Sequence, residues 1–375
     1  MNELPDTPPV VAMSGEPAQG LAVVRSEIDA LDAQLLELLN RRARCAQQVG
    51  QIKSALGDAG FIYRPEREAQ VLRRIQEINP GPLSDETTTW FFREVMSACL
   101  ALEQPLSVAF LGPLGTFSES AATKHFGHAA RLMPQTSIDD VLREVEAGHA
   151  DYAVVPIENS TEGAIGRTLD LLLSTPLKVC GEVVLRIHQH LLSGAASLAT
   201  IAKVYSHAQS LAQCHEWLSR HLPHAERVAV GSNAQAVQLA VGEAGTAAIA
   251  GAAAGERYQI ATLASSIEDE PNNTTRFVVL GRQDAGISGR DKTSLIMSAQ
   301  NRAGALNHLL APFAEAGVSM TRLESRPARH TLWEYVYFVD IEGHRDDQTV
   351  AVALAELAGR AAFLKVLGSY PVAVY

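Results

Sequence analysis

Between Leu21 and Ala55 the apolar residues step by three and four. Leu21, Val24, Ile28, Leu31, Leu35, Leu38 and Leu39 form one stripe at helical period. No proline interrupts the run, and Gly50 is its only internal glycine. A helix this long in a small domain demands a long antiparallel or intertwined partner. Pro65 suits the first turn of a second helix, which stops at NPGP (79–82). Ser84, followed by Asp85 and Glu86, caps a third helix that ends before Pro105. Three helices without a strand make a first domain over 21–104.

From Leu106 the period changes. LSVAFLG, YAVVPI, KVYSH, RVAVG, TAAIAG and RFVVLG are short apolar strands separated by helix-like stretches. They predict an α/β domain over 105–284, with RQDAGISGRD following as a Gly-rich linker. Residues 292–375 read strand, helix, strand, strand, helix, strand, the βαββαβ order of an α+β ferredoxin-like module. Residues 1–20 are acidic and rich in Pro and Gly. They read as a disordered tail lacking the basic start and apolar core of a signal peptide.

At 375 residues a multidomain chain is expected. No apolar run reaches the ~18 residues needed to cross a bilayer. The formal charge of −11 argues against nucleic-acid partners, which need a basic face. Cys45, Cys99, Cys180 and Cys214 form no CxxC pair, so neither a metal site nor a disulfide framework is expected, and the cytoplasm fits best. Neither nucleotide-binding glycine fingerprint is present, so no cofactor is announced.

On the long helix, Arg42 and Lys53 are eleven residues apart. They fall within about 20° of each other and roughly 16 Å apart along the axis, a spacing that could grip a small dianion. Spacing alone suits a solvated face equally well. RSEIDALDAQLLELLNRRARCAQQVGQIK followed by YRPERE, however, resembles the all-helical chorismate mutase domain. That family forms intertwined dimers. The resemblance implies that Arg25 (from the partner chain), Arg42 and Arg67 bind two carboxylates, Lys53 the ether oxygen and Glu68 the ring hydroxyl. Glu103 matches a second donor to that oxygen. A carboxylate cannot donate, so Glu103 must carry a proton to serve, and a mutase rate falling above neutral pH is expected. Cys99 stands where a Ser contact is frequent.

Ligands of open α/β folds bind beyond the strand ends. FLGPLGTFSES leaves a strand into Thr116, Phe117 and Ser118, a helix N-terminus suited to an anion. VVPIENSTEG places Glu158, Asn159, Ser160 and Gly163 at another strand exit, SHAQSLAQC adds Ser206, His207 and Gln209, and NNTTRF adds Thr275, Arg276 and Phe277. Unaided, these motifs reach only "small polar ligand". Together and in this order they resemble prephenate dehydratase, which implies a two-lobed fold like type 2 periplasmic binding proteins. The resemblance gives Thr275 the task of assisting departure of the ring hydroxyl. A neutral Thr is a feeble acid, so a polarising neighbour is expected, with Glu158 the candidate. The remaining residues would orient substrate. Ala208, Ala153 and Leu114 depart from the family's usual Pro, Gly and polar residue.

NRAGALNHLL and RLESRPARH, placed within βαββαβ, resemble an ACT domain. Gly304, Ala305, Leu306, Glu324, Ser325, Arg326 and Pro327 would then shape a phenylalanine pocket at a subunit interface. The combined expectation is a bifunctional chorismate mutase–prephenate dehydratase, feedback-regulated by L-phenylalanine and a homodimer or dimer of dimers. Two alternatives stand beside it: a dehydratase with a purely structural helical domain, and a non-catalytic amino-acid sensor.

Overall fold

The computed structural model describes residues 17–55, 63–300, 302–327 and 335–374, with the side chains of all but 17, 18, 53 and 54. The chain divides into two compact units, Met1–Ala59 and Gly60–Tyr375. In the first unit α1 (Pro17–Ala55) is one continuous helix, as the stripe predicts. It starts within the segment expected to be tail, so residues 17–20 are helical; residues 1–16 lie outside the described residues. Leu21, Val24, Ile28, Leu31, Leu35 and Leu38 are all exposed in the single chain.

The second unit begins with α2 (Pro65–Ile78) and α3 (Asp85–Ala101). Pro65 occupies the first turn of α2, and the Ser84 hydroxyl accepts from Thr87 N at 3.2 Å to cap α3. The three expected helices are all present, and α2 and its approach also have apolar work elsewhere. Tyr63 is buried with Val108, Phe110, Phe126 and Tyr152 of the α/β core. The expected linker 282–291 is likewise packed down. Gln283 is buried and donates to the Tyr63 carbonyl and the Tyr152 hydroxyl, while Arg73 of α2 holds the Ser288 and Arg290 carbonyls.

The first lobe contains β1 (Ser107–Leu111), α4 (Phe117–Phe126), β2 (Arg131–Gln135), α5 (Ile138–Glu146), β3 (Tyr152–Asn159), β4 (Gly163–Ala164), α6 (Gly166–Ser174) and β5 (Lys178–Arg186). The chain then builds a second lobe from β6 (His190–Leu192), β7 (Lys203–His207), α7 (Ala208–Gln213), α8 (His215–His221), β8 (Glu226–Val230), α9 (Asn233–Gly242), β9 (Thr246–Ala250), α10 (Ala252–Tyr258) and β10 (Thr262–Ala264). It returns to the first sheet as β11 (Thr274–Gly281). The sheet orders are β2-β1-β3-β11-β5, with β4 on β3, and β10-β6-β9-β7-β8. Two crossings joining two sheets give the two-lobed frame that was expected. Glu268 ties the crossings together, accepting from Gln189 N at 2.8 Å and lying 2.9 Å from His188 Nδ1.

The third sheet holds β12 (Asp291–Ser298), β13 (Met320–Pro327), β14 (Tyr335–Glu342) and β15 (Phe363–Pro371), with α11 (Ala305–Glu315) and α12 (Gln348–Arg360). Its antiparallel order β13-β14-β12-β15 is that of the expected ferredoxin-like module. One face packs Leu295, Met297, Val339 and Ile341 with Leu309, Phe313, Val350 and Leu357 of its helices. The other packs Ile296, Phe338, Leu367 and Tyr370 against Val155, Ile157, Val278 and Leu280 of the first lobe. At Gly368 the approach is so close that a Cβ would collide with the Val179 carbonyl oxygen. Among the described residues no helix is long and apolar enough to cross a membrane.

Candidate active site

Strands β3 and β11 run antiparallel, and their pairing slips once. Phe277 faces Pro156 and Arg276 faces Glu158, leaving Ile157 as an extra residue. Such a bulge re-aims the side chains that follow it. Without it, alternation from the back-facing Ile157 would turn Glu158 toward Thr275. With it, Asn159 lies opposite Thr275 instead.

Asn159 Nδ2 donates to Thr275 Oγ1 at 2.8 Å and to Asn273 Oδ1 at 2.9 Å, and all three residues are buried. The amide orientation is fixed from its other end, where Asn159 Oδ1 accepts from the backbone N–H of Thr161 and Glu162, both at 3.1 Å. Gly163 closes this turn at φ +81°, a left-handed conformation that a Cβ would strain. Ser160 is spent on the same frame, its hydroxyl accepting from Thr274 N at 2.9 Å. Asn273 Nδ2 is buried without a partner, as is Gln189 Oε1 at the crossing into the second lobe. Thr161 and Asn273 lie among the polar strand-end residues of the quoted motifs without an assigned task, and Gln189 lies outside those motifs.

Two expected contacts are corrected. Glu158 does not neighbour the Thr275 hydroxyl; it lies behind the sheet, 2.9 Å from Arg322 of β13 and 3.9 Å from Arg276. Arg276 also points backward. Its guanidinium donates to Glu182 at 2.9 Å, to Asp340 at 2.6 Å and to the Tyr370 hydroxyl at 2.9 Å. Burial works against this charge, but Tyr370, Asp340 and Glu182 override it and raise the pKa of Arg276. It is therefore not free to orient substrate. Phe277 belongs to the core with Val108, Phe110 and Val279.

The remaining strand ends are more structural than expected. Thr116 caps α4, its hydroxyl accepting from Glu119 N at 3.5 Å and donating toward the Pro113 carbonyl. The anion at this helix start is the protein's own Glu119, which accepts from Gly115 N and pairs with Arg257 of α10 at 3.2 Å. Ser118 is buried, and Phe117 lies against Gly251 of the second lobe. Ser206 is buried, its hydroxyl 2.8 Å from the Ile249 carbonyl and 3.0 Å from Asn233 Oδ1. Exposed His207 caps α7 by accepting from Gln209 N at 3.3 Å. Gln213 Nε2 of the second lobe reaches Thr161 Oγ1 at 3.5 Å, which places the Asn159–Thr275 pair beside the mouth between the lobes.

In the third sheet Gly304 has φ +75° and precedes α11, which opens with Ala305 and Leu306. Asn301 and residues 328–330 of the two quoted motifs lie outside the described residues. Glu324–Pro327 ends the edge strand β13, with Ser325 and Pro327 exposed. Arg326 turns instead to Asp170 of α6 at 3.5 Å and lies against Gly166, so it is a tie to the first lobe.

The expected mutase residues are spread over both units. Arg25 is exposed and Arg42 half-buried on α1, and the side chain of Lys53 lies outside the described residues. On α2, Arg67 is exposed while Glu68 points inward to Arg93 at 3.5 Å. Burial pushes the Glu68 carboxyl up to about 7. Cys99 is buried in α3, and half-buried Glu103 lies in the turn after that helix rather than on it. Among the described residues no acidic, His or Cys cluster could hold a metal ion.

Three families match in chain order: chorismate mutase type II over 24–104, prephenate dehydratase over 108–285 and the ACT domain over 293–359. A bifunctional chorismate mutase/prephenate dehydratase of Neisseria gonorrhoeae is 58% identical over 93% of this chain and 96% of its own. Its namesake in Pseudomonas aeruginosa is 51% identical over 94% and 98%. Among solved structures, the prephenate dehydratase of Arthrobacter aurescens in complex with L-Phe covers 71% of this chain and 90% of its own, at TM-score 0.66 and 35% identity. The dehydratase of Staphylococcus aureus covers 71% and 100%, at TM-score 0.64 and 30% identity. The chain thus belongs to the bifunctional chorismate mutase/prephenate dehydratase family, whose two activities carry chorismate through prephenate to phenylpyruvate.

Proposed function

We propose that Thr275 is the proton donor of the dehydratase step and that Asn159, not Glu158, prepares it. The chain is an enzyme with both activities, and in the second the prephenate ring loses its hydroxyl and a carboxylate together. A departing hydroxyl needs a proton. The observation that supports Thr275 is its hydrogen bond from Asn159: the hydroxyl oxygen accepts, so its own proton is left to give. Accepting one hydrogen bond strengthens the next one donated, which answers the weakness of a neutral Thr. Asn273 Nδ2, buried and without a partner, supplies a donor for a substrate carboxylate or for the leaving oxygen.

For the first activity, Arg42 and Arg67, with Arg25 of a second copy, bind the two carboxylates of chorismate. Lys53 and Glu103 serve the ether oxygen, Glu68 the ring hydroxyl, and Cys99 lines the site. The exposed apolar stripe of α1 supports an obligatory pairing of two chains through that helix. L-phenylalanine is the effector, held beside Gly304–Leu306 and the exposed end of β13. The enzyme works in the cytoplasm, consistent with its free cysteines.

The test supplies the protein with chorismate alone and follows phenylpyruvate, with and without phenylalanine. Lys53→Ala abolishes only the first step and Thr275→Ala only the second. Either substitution leaving its step near wild type overturns that assignment.

A further inference from the structure

The two strands that carry the Asn159–Thr275 pair carry a second pair immediately beside it on the other side of the sheet. Each reacting-side residue has a charged chain neighbour facing the third sheet: Glu158 precedes Asn159, and Arg276 follows Thr275. Glu158 meets Arg322 at 2.9 Å. Arg276 meets Asp340 at 2.6 Å and Tyr370 at 2.9 Å. Arg322 and Asp340 are themselves opposite each other across β13 and β14. Arg322 is also two residues before Glu324, where the proposed effector segment begins.

We infer that Glu158 and Arg276 are positioning residues, a clasp through which the third sheet sets the geometry of the Asn159–Thr275 pair. The inference deepens the proposed regulation and rests on that reading of the effector segment. A shift of β13 moves Arg322, and Arg322 pulls on Glu158. The peptide between Glu158 and Asn159 is planar and stiff, so rotation at one residue re-aims the next. A hydrogen bond as angle-sensitive as that from Asn159 to Thr275 weakens with a small rotation. Effector and substrate need not touch, because differential binding to two arrangements of β13 is sufficient.

The neighbouring groups favour the Glu158–Arg322 bridge as the movable part. Arg276 is locked by Glu182 and Asp340, both buried, and Lys292 adds its ammonium to Glu182 at 2.8 Å. The Glu158 side chain is 39% exposed and its ion pair with Arg322 lies at the edge strand. The clasp thus has a fixed jaw and a jaw that can open.

The experiment compares the full-length wild type with Arg322→Gln, Glu158→Gln, the double variant and Arg322→Lys. It measures dehydratase kcat and KM on prephenate, inhibition by phenylalanine, phenylalanine binding by calorimetry, and mutase activity as an internal control for folding. In both single Gln variants the concentration of phenylalanine for half-inhibition rises about tenfold or more, while binding changes less than about threefold. Basal dehydratase kcat falls severalfold at constant KM, mutase activity is retained, and the double variant is no worse than either single one. Arg322→Lys, which keeps the charge and loses the planar guanidinium, falls between. Unchanged inhibition with unchanged kcat in both single variants overturns the clasp. If wild type does not bind phenylalanine, it is the effector reading that fails, and the clasp is then judged by kcat alone. If Arg322→Gln loses mutase activity through misfolding, Arg322→Lys decides by the same two measures.

Discussion

The two faces of the β3–β11 ribbon use polar residues in opposite ways. On the side of the lobe mouth stand uncharged groups, Asn159, Asn273 and Thr275, with hydrogen-bonding capacity left over. On the other side stand charges, Arg276, Glu182, Asp340 and Lys292, that consume one another. The contrast separates recognition from cohesion. Buried neutral donors can stay unspent at a cost of about 1–3 kcal/mol each, whereas an unspent buried charge costs several. A site that must wait for its ligand is therefore built from amides and hydroxyls, and a junction that must stay shut can use ions.

The largest effect should come from breaking the charged face. Arg276→Met leaves Asp340 and Glu182 buried without their shared cation, and a loss of roughly 3–5 kcal/mol in unfolding free energy is expected by denaturant titration. A loss below about 1 kcal/mol would show that the network is solvated. On the other face Thr275→Ala should lower dehydratase kcat by about 10²–10³-fold with little change in stability, measured as phenylpyruvate formation from prephenate.

Glu68 tests the same principle where a buried charge has only one partner. Its carboxyl is raised from 4.5 to about 7, so the folded state holds its proton more tightly than the unfolded chain does. Wild-type stability from this group therefore declines as pH rises from about 4.5 to 7, by roughly 3 kcal/mol in all. Glu68→Gln, always neutral, should match wild type near pH 4.5 and exceed it in melting temperature above pH 7. Parallel melting curves at all pH values would place Glu68 in water. The smallest effect is expected from Asn273→Ala, about tenfold in dehydratase kcat/KM, because one of several donors is removed.

The element pattern was legible because each element carries its own period. The α1 stripe, the Pro65 and Ser84 helix starts and the βαββαβ order all emerge as read. Strand β5 was missed since Gly181 and Glu182 interrupt its apolar run, and Glu182 is there to bind Arg276 and Lys292, which are distant in sequence. The linker 282–291 reads as loose, yet Gln283 is buried by Tyr63 and Tyr152, again partners that no local pattern announces. At the candidate site the motifs are legible, but not the faces on which their residues lie. Glu158 is expected beside Thr275 only because a neutral Thr needs a polarising neighbour, and the slip at Ile157 that puts Asn159 there instead depends on how β11 pairs.

That slip makes strand register, not only chain chemistry, a determinant of which side chains reach the mouth. If β3 and β11 paired without it and Ile157 stayed in the ladder, every residue would keep its identity while Glu158 and Asn159 exchanged orientations, so a carboxylate would enter the mouth and an amide the ionic junction; deleting Ile157 would instead keep Glu158 opposite Arg276 and Asn159 opposite Thr275. Loss of Ile157 accordingly removes a buried side chain from the face toward the third sheet and leaves the Asn159–Thr275 pair in register.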